Sequence, residues 1–229
     1  MFPVVDLSEL DDYEFASNVQ ESVDAFGIVV LTNGIFPSLA RRVHDLTRDL
    51  GESYSRGAHG ICHHRTASLQ MTINGTSSSF YRLEVKRSEN SGVFQSELDF
   101  LLSSIYDQMD LAVFRVFDAL LLSSDALIES NHSGLSLLAY RRPEGTSSNW
   151  GDLEGHIDGH NIVTCHAMAS DASYWARLSG EKTNIALKPD QLMISFGSLA
   201  SDYGFEPVHH GITIPEETEY REAIVAFYQ

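Results

Sequence analysis

The chain is poor in cysteine, proline and positive charge, and each shortage removes a class of protein. Two cysteines, Cys62 and Cys165, in 229 residues cannot build a disulfide framework or a four-cysteine zinc site. Cys165 sits among apolar residues as buried thiols do, and both are expected to be unpaired. Only 15 lysines and arginines stand against 32 acids, a formal net charge of -17. That balance opposes phosphate backbones and anionic lipid, so neither nucleic acid nor a membrane is an expected partner. It also repels a dianionic small molecule at long range, so a site for one needs a cation placed inside it. No apolar run approaches the roughly 20 residues that cross a bilayer. The start, Met1-Phe2-Pro3-Val4-Val5-Asp6, lacks a basic leader followed by an apolar stretch, so a cytoplasmic setting is expected and the sequons at Asn74 and Asn131 carry no weight.

What is present is the material of one folded core: 43% hydrophobic and 10% aromatic residues, without repeats or low-complexity stretches. Val4 to Leu7 reads as a short strand, and Asp11 to Ala25 carries apolar residues at helical spacing. Gly27 to Leu31 is a β-branched strand, and Pro37 suits the first turn of a second helix. Residues 51–65, rich in Gly, Ser and His, read as a loop. Ser68–Ile73 and Phe80–Lys86 form an expected hairpin around the polar stretch 74–79. From about Val93 to Leu122, apolar residues recur every three or four positions, predicting the longest helix. Short β-prone runs then follow: Leu135–Tyr140, Ile162–Met168, Asn184–Leu187, Leu192–Phe196, Pro207–Ile214 and Ala223–Tyr228. Such strands at close spacing predict a sandwich or double-sheet barrel, and the whole an α+β fold. A single domain is expected, with 1–125 mainly helical and 126–229 holding the main strands.

His156-Ile157-Asp158 puts an imidazole and a carboxylate two residues apart, on one face of a strand or its extended end. A second histidine from a distant strand would complete a two-histidine, one-carboxylate set, which leaves three positions open on iron(II). His209 and His210 lie about fifty residues on, and adjacent strand residues face opposite ways, so one of the pair can reach the metal. Arg221, eleven residues after His210, is the cation a dianion needs, because a guanidinium takes a carboxylate through two parallel hydrogen bonds. Against these stand plainer readings: a surface histidine beside an acid, and a strand arginine among Glu217, Glu219 and Glu222.

These residues lie in an order that resembles the isopenicillin N synthase-like iron(II) and 2-oxoglutarate-dependent dioxygenases along nearly the whole chain. Phe2-Pro3-Val4-Val5-Asp6-Leu7 is similar to that family's IPVIDL run, and Phe26-Gly27-Ile28-Val29-Val30 with Thr32-Asn33-Gly34-Ile35 to its WGFF…NHGI segment. Leu138-Ala139-Tyr140-Arg141-Arg142-Pro143 resembles LNYYPP, His156-Ile157-Asp158 resembles HTD, and Phe205 to Ile212 resembles YKSxxHRV. The resemblance implies a distorted double-stranded β-helix, a jelly roll with helices outside, holding Fe(II) on His156, Asp158 and His210. It implies that Arg221, with Tyr140, binds the distal carboxylate of 2-oxoglutarate, and that O2 is consumed to hydroxylate, desaturate or cyclise a small-molecule metabolite or biosynthetic intermediate. Ala223 departs from the family's serine in the RxS element, Gly211 from its arginine and Asn33 from its histidine.

Two other functions remain in view. An iron oxidase of the isopenicillin N synthase type would use the same three ligands without 2-oxoglutarate, and Ala223 keeps that reading alive. A jelly-roll binding module without a working metal is the non-catalytic case, opposed by the intact ligand set. The cluster His59, His63 and His64 lacks regular zinc spacing, and His160 and His166 are expected to border the site without binding metal. Position alone nominates Tyr81, Arg82, Arg87 and Phe205 as substrate contacts.

Overall fold

The computed structural model describes residues 3–8, 11–55, 65–73, 76–86, 97–122, 134–141, 151–152, 155–168, 173–178, 180–214 and 220–229. Helix α1 (Asp12–Phe26) starts at Asp11, whose carboxylate accepts the Glu14 N–H at 2.9 Å, and stops at Gly27, where φ of 64° suits a residue without a Cβ. Phe15, Val19, Ser22 and Val23 make its buried stripe. Helix α2 (Pro37–Ser55) opens on the expected proline and continues into the stretch read from sequence as loop. Helix α3 (Glu97–Ala119) is the longest of those described and buries Ile105, Met109, Val113, Val116 and Phe117. No helix among the described residues is long and apolar enough to cross a membrane.

The strands, numbered along the chain, are β1 (Val4–Asp6), β2 (Ile28–Thr32), β3 (Arg65–Ile73), β4 (Thr76–Lys86), β5 (Gly134–Arg141), β6 (Gly151–Asp152), β7 (Val163–Met168), β8 (Ser173–Leu178), β9 (Glu181–Ile185), β10 (Leu192–Phe196), β11 (His210–Ile214) and β12 (Tyr220–Tyr228). They form a mixed eight-stranded sheet, β1-β2-β10-β7-β12-β5-β4-β3, and a four-stranded sheet, β6-β11-β8-β9. Among the described strands only the β1–β2 pair is parallel, since the 15-residue α1 gives the chain length to cross back. The amino-terminal half thus contributes four strands to the large sheet beside its helices. The pairing of β3 with β4 runs to Ile73↔Thr76, so Ser77 to Ser79 belong to the strand and not, as expected, to the turn.

One face of the large sheet is covered by helices. There Val29, Leu31, Leu135, Leu137, Cys165, Ile194, Ile224 and Tyr228 pack on Phe15, Ile105, Met109, Val113 and Phe117. The other face meets the small sheet through Ile28, Val30 and Met193 against Tyr174, Ala176, Leu178 and Ile185. Burial on both faces explains why β2 reads as an apolar run up to Thr32 and why β10 departs from one only at Ser195. Cys165 is a free, buried thiol in the helix-side core. The face between the sheets also carries polar groups, Thr164 and His166 on β7, Ser195 on β10 and Arg221 on β12, all buried.

Candidate metal centre

His156 and His210 converge because their backbones pair. The His156 N–H donates to the His210 carbonyl at 2.7 Å, and the His210 N–H returns a bond of 2.9 Å to the His156 carbonyl. Directly opposed residues of an antiparallel pair carry their side chains on one face, and the two imidazole centroids are 4.7 Å apart. Asp158, two residues on, lies between them: Nε2 of His156 is 3.3 Å from Oδ1, and Nε2 of His210 is 3.5 Å from Oδ2. Their ligand atoms lie within 4.8 Å of one another, the one such cluster among the described residues.

Small residues and backbone bonds hold this geometry. A Cβ at Gly155 would collide with the Trp175 indole and the His209 imidazole, so only glycine lets the chain enter the bridge. Beyond Asp158 the chain is tied to the segment after β10: the Ser198 N–H donates to the Asp158 carbonyl at 2.9 Å and the Gly197 N–H to the Ile162 carbonyl at 2.9 Å. Gly197 packs against the carbonyls of Asn161 and Asp158, where a side chain would not fit.

The electrostatics follow from burial and charge. Burial pushes the Asp158 carboxyl up, but the hydrogen bond from His156 and electrostatic interaction with the surrounding imidazoles of His210, His166 and His156 hold it well below the usual carboxylate range. The hydrogen bond to Asp158 raises His156 despite its partial burial. Burial lowers His210. Its Nδ1 is 3.0 Å from the Val208 carbonyl, which can only accept, so Nδ1 carries the hydrogen and Nε2 keeps a lone pair facing Asp158. His210 also stacks on Tyr174, centroids 5.0 Å apart and planes 20° apart.

Of the other residues singled out from sequence, Arg221 is buried on β12, at 2% exposure, and pairs in register with Tyr140 of β5. Along the same row Tyr140 pairs with Phe80 of β4. In the backbone register Arg82 is level with Leu138 and Ala223, and Tyr81 with Ala139 and Glu222. Phe205 stacks on Phe196 at 4.6 Å and packs against the helix-side core, which accounts for it as a packing residue. His209 is outside the cluster, its ring 5.7 Å from Trp175. His160 is exposed at φ of 64°, its N–H held by the Ser198 hydroxyl. His166 is buried with its centroid 5.9 Å from that of His210, and desolvation brings its pKa down to about 3. Arg87, His59, His63, His64, Cys62 and the asparagines of both sequons lie outside the described residues.

Sequence reasoning passed over Thr164, Ser195, Tyr174 and Gly155. The Thr164 hydroxyl lies 3.0 Å from Asp158 Oδ2, and Ser195 Oγ is 2.9 Å from Thr164. The one signal available was parity: hydroxyls replace aliphatic residues at alternate positions of two otherwise apolar strands.

No family model and no curated protein matches the chain. Solved structures match it along its whole length. A full-length Neurospora crassa protein, solved in complex with alpha-KG, superposes with a TM-score of 0.75 at 15% identity, over 100% of this chain and 85% of that one. The dioxygenase for auxin oxidation 1 of Arabidopsis thaliana, solved with 2-oxoglutarate, gives 0.73 at 16% identity, over 99% and 92%. The chain has the fold of the 2-oxoglutarate oxygenases. A Caulobacter crescentus protein assigned to the 2OG-Fe(II) oxygenase family gives 0.72 at 19%, over 99% and 86%.

Proposed function

We propose that this protein is an iron(II)- and 2-oxoglutarate-dependent oxygenase that oxidises a small molecule. The observation that carries the reading is the convergence of His156, Asp158 and His210 in a fold shared with such oxygenases. On this reading the two sheets are the walls of a distorted double-stranded β-helix, with the site between them.

The residues fit iron(II). Two neutral nitrogen donors and one carboxylate on one side of an ion match its facial ligand set. The His210 tautomer offers a lone pair, and Asp158 is held ionised. Iron(II) there would supply the oxygen-activating redox chemistry of the class, with 2-oxoglutarate as reductant. The protein's own part is binding and exclusion of water. Arg221 would receive the distal carboxylate of 2-oxoglutarate, and its burial strengthens such a bond relative to one in water. Tyr140, its register partner, would assist. This local cation answers the repulsion that a net charge of -17 exerts on a dianion. The Neurospora crassa protein has also been solved with thymine and with 5-formyluracil, which supports a compact substrate here. Arg82, level in register with Leu138 and Ala223, is the residue we assign to an anionic group of that substrate.

Ala223 favours a second reading, an oxidase with the same ligands but no 2-oxoglutarate. One assay separates them. Under air with iron(II) and 2-oxoglutarate, the first reading predicts slow succinate release coupled to oxygen uptake even without substrate, abolished by Asp158→Ala. Iron-dependent oxygen uptake without succinate would move the assignment to the oxidase.

A further inference from the structure

Thr164 lies beneath Asp158 with a hydrogen-bonding inventory that leaves its hydroxyl one orientation. The Thr164 hydroxyl donates to Asp158 Oδ2 at 3.0 Å, a carboxylate oxygen that accepts. A threonine hydroxyl has one hydrogen, which that bond consumes. Ser195 Oγ at 2.9 Å must therefore donate to Thr164, and His166 Nε2 at 3.1 Å must carry a hydrogen and donate as well. Both lone pairs of Thr164 Oγ1 are then occupied. Thr164, Ser195 and His166 are all buried, at 0%, 1% and 6% exposure, so bulk water competes little for these bonds. Tyr174, stacked on His210, has its hydroxyl beside Ser195 without a well-formed hydrogen bond to it.

We infer that Thr164 is a positioning residue that decides which oxygen of Asp158 is offered to the metal, and that Ser195 and His166 lock it in that role. This rests on the functional reading above and deepens it. With Oδ2 engaged by the hydroxyl, Oδ1, which lies beside His156, is the oxygen left for the ion. The carboxylate then binds through one oxygen and three positions stay open. Without the hydroxyl both oxygens are free to chelate, which fills a position that a two-point ligand such as 2-oxoglutarate requires. Outer partners of ligating carboxylates commonly change metal affinity by about 10- to 100-fold.

The test is anaerobic competition of the metal-free protein against a chromophoric chelator for iron(II), paired with the visible absorption of the cobalt(II) form. Thr164→Val keeps the shape and removes the hydroxyl. It is expected to bind iron(II) about 10- to 100-fold more weakly and to show weaker cobalt bands, as higher coordination produces. Thr164→Ser should restore both. Affinity within about threefold of wild type, well short of what outer partners usually change, together with an unchanged cobalt spectrum would overturn the inference. Should Thr164→Val not fold, Ser195→Ala carries the test: it leaves the Thr164 hydroxyl but frees its rotation. Weakened iron(II) binding there supports the inference, and unchanged binding overturns it. Wild-type protein that binds neither iron nor cobalt would overturn the functional reading itself, and this inference with it.

Discussion

The two histidines of the centre occupy opposite surroundings. His156 has a side chain 61% exposed, follows a glycine that admits no side chain, and belongs to a single bridge before β7 begins. His210 has a side chain 5% exposed, opens β11, bonds the Val208 carbonyl and stacks on Tyr174. The buried half is built before any ion arrives, since its tautomer and ring plane are set by neighbours. The exposed half is held by its backbone and by the carboxylate. On the proposed function, the pre-set nitrogen of His210 would give the centre direction, and the exposed one of His156 would meet an ion arriving from solvent.

Separate replacement of the two rings breaks this comparison most strongly. His210→Ala and His156→Ala should both abolish measurable iron(II) binding, because each removes one of three ligands. Only His210→Ala should also destabilise the metal-free fold, by about 2–4 kcal/mol for the lost packing and buried hydrogen bond. His156→Ala should stay within about 0.5 kcal/mol, as exposed substitutions do. Denaturant unfolding of both variants, with metal removed, decides it, and equal losses would show that the asymmetry has no energetic content.

Acid should separate the same two regions by sign. His166 on the buried side has a folded pKa of about 3 against 6.5 when unfolded. Between those values the unfolded chain takes up a proton that the native state refuses, so stability falls as pH drops, by about 1.4 kcal/mol per unit. His210, also lowered, acts in the same direction. His156 is raised, so its contribution is complete below 6.5 and is lost as pH rises through its folded value. Unfolding of the metal-free protein at about pH 6.5, 5.5 and 4.5 should show the decline, and His166→Gln should flatten it.

A smaller contrast concerns the glycines that flank the motif. Gly155→Ala should cost about 1–3 kcal/mol, because the new methyl meets Trp175 and His209. Gly159→Ala should be nearly neutral, since nothing lies within 4 Å of a Cβ there. Thermal midpoints of the two variants measure the difference, and similar midpoints would remove the steric role assigned to Gly155. The smallest effect is expected on the opposite wall of the site. Ala223→Ser, two residues along β12 from Arg221, should tighten 2-oxoglutarate binding by about three- to tenfold, the worth of one hydrogen bond. Unchanged affinity would place the co-substrate carboxylate away from position 223.

Much of this was legible in the sequence, for definite reasons. The HxD spacing maps directly onto one face of an extended chain, and the largely apolar runs of β2 and β10, the latter interrupted only by Ser195, mark strands covered on both faces. Strand β8 escaped because Trp175 lies buried on the face away from Tyr174, Ala176 and Leu178, with Lys182 over its ring at 4.6 Å, so the expected alternation is broken. The length of β3 and β4 escaped because Ser77, Ser78 and Ser79 have turn-like composition but continue the ladder. Beyond that parity signal, the roles of Thr164, Ser195 and Tyr174 were not legible. Their meaning comes from three strands meeting across two sheets, and no local pattern encodes that adjacency. His210 was separable from His209 only through register, and the pairing of His156 with His210 supplies it.

The central claim is tested most directly by anaerobic titration of the metal-free protein with iron(II) and then 2-oxoglutarate, following visible absorption. The account predicts a weak charge-transfer band on addition of 2-oxoglutarate to the iron-loaded protein, absent in Asp158→Ala and lost or greatly weakened in Arg221→Ala. Iron binding with no band in the wild-type protein, or an undiminished band in Arg221→Ala, would contradict it.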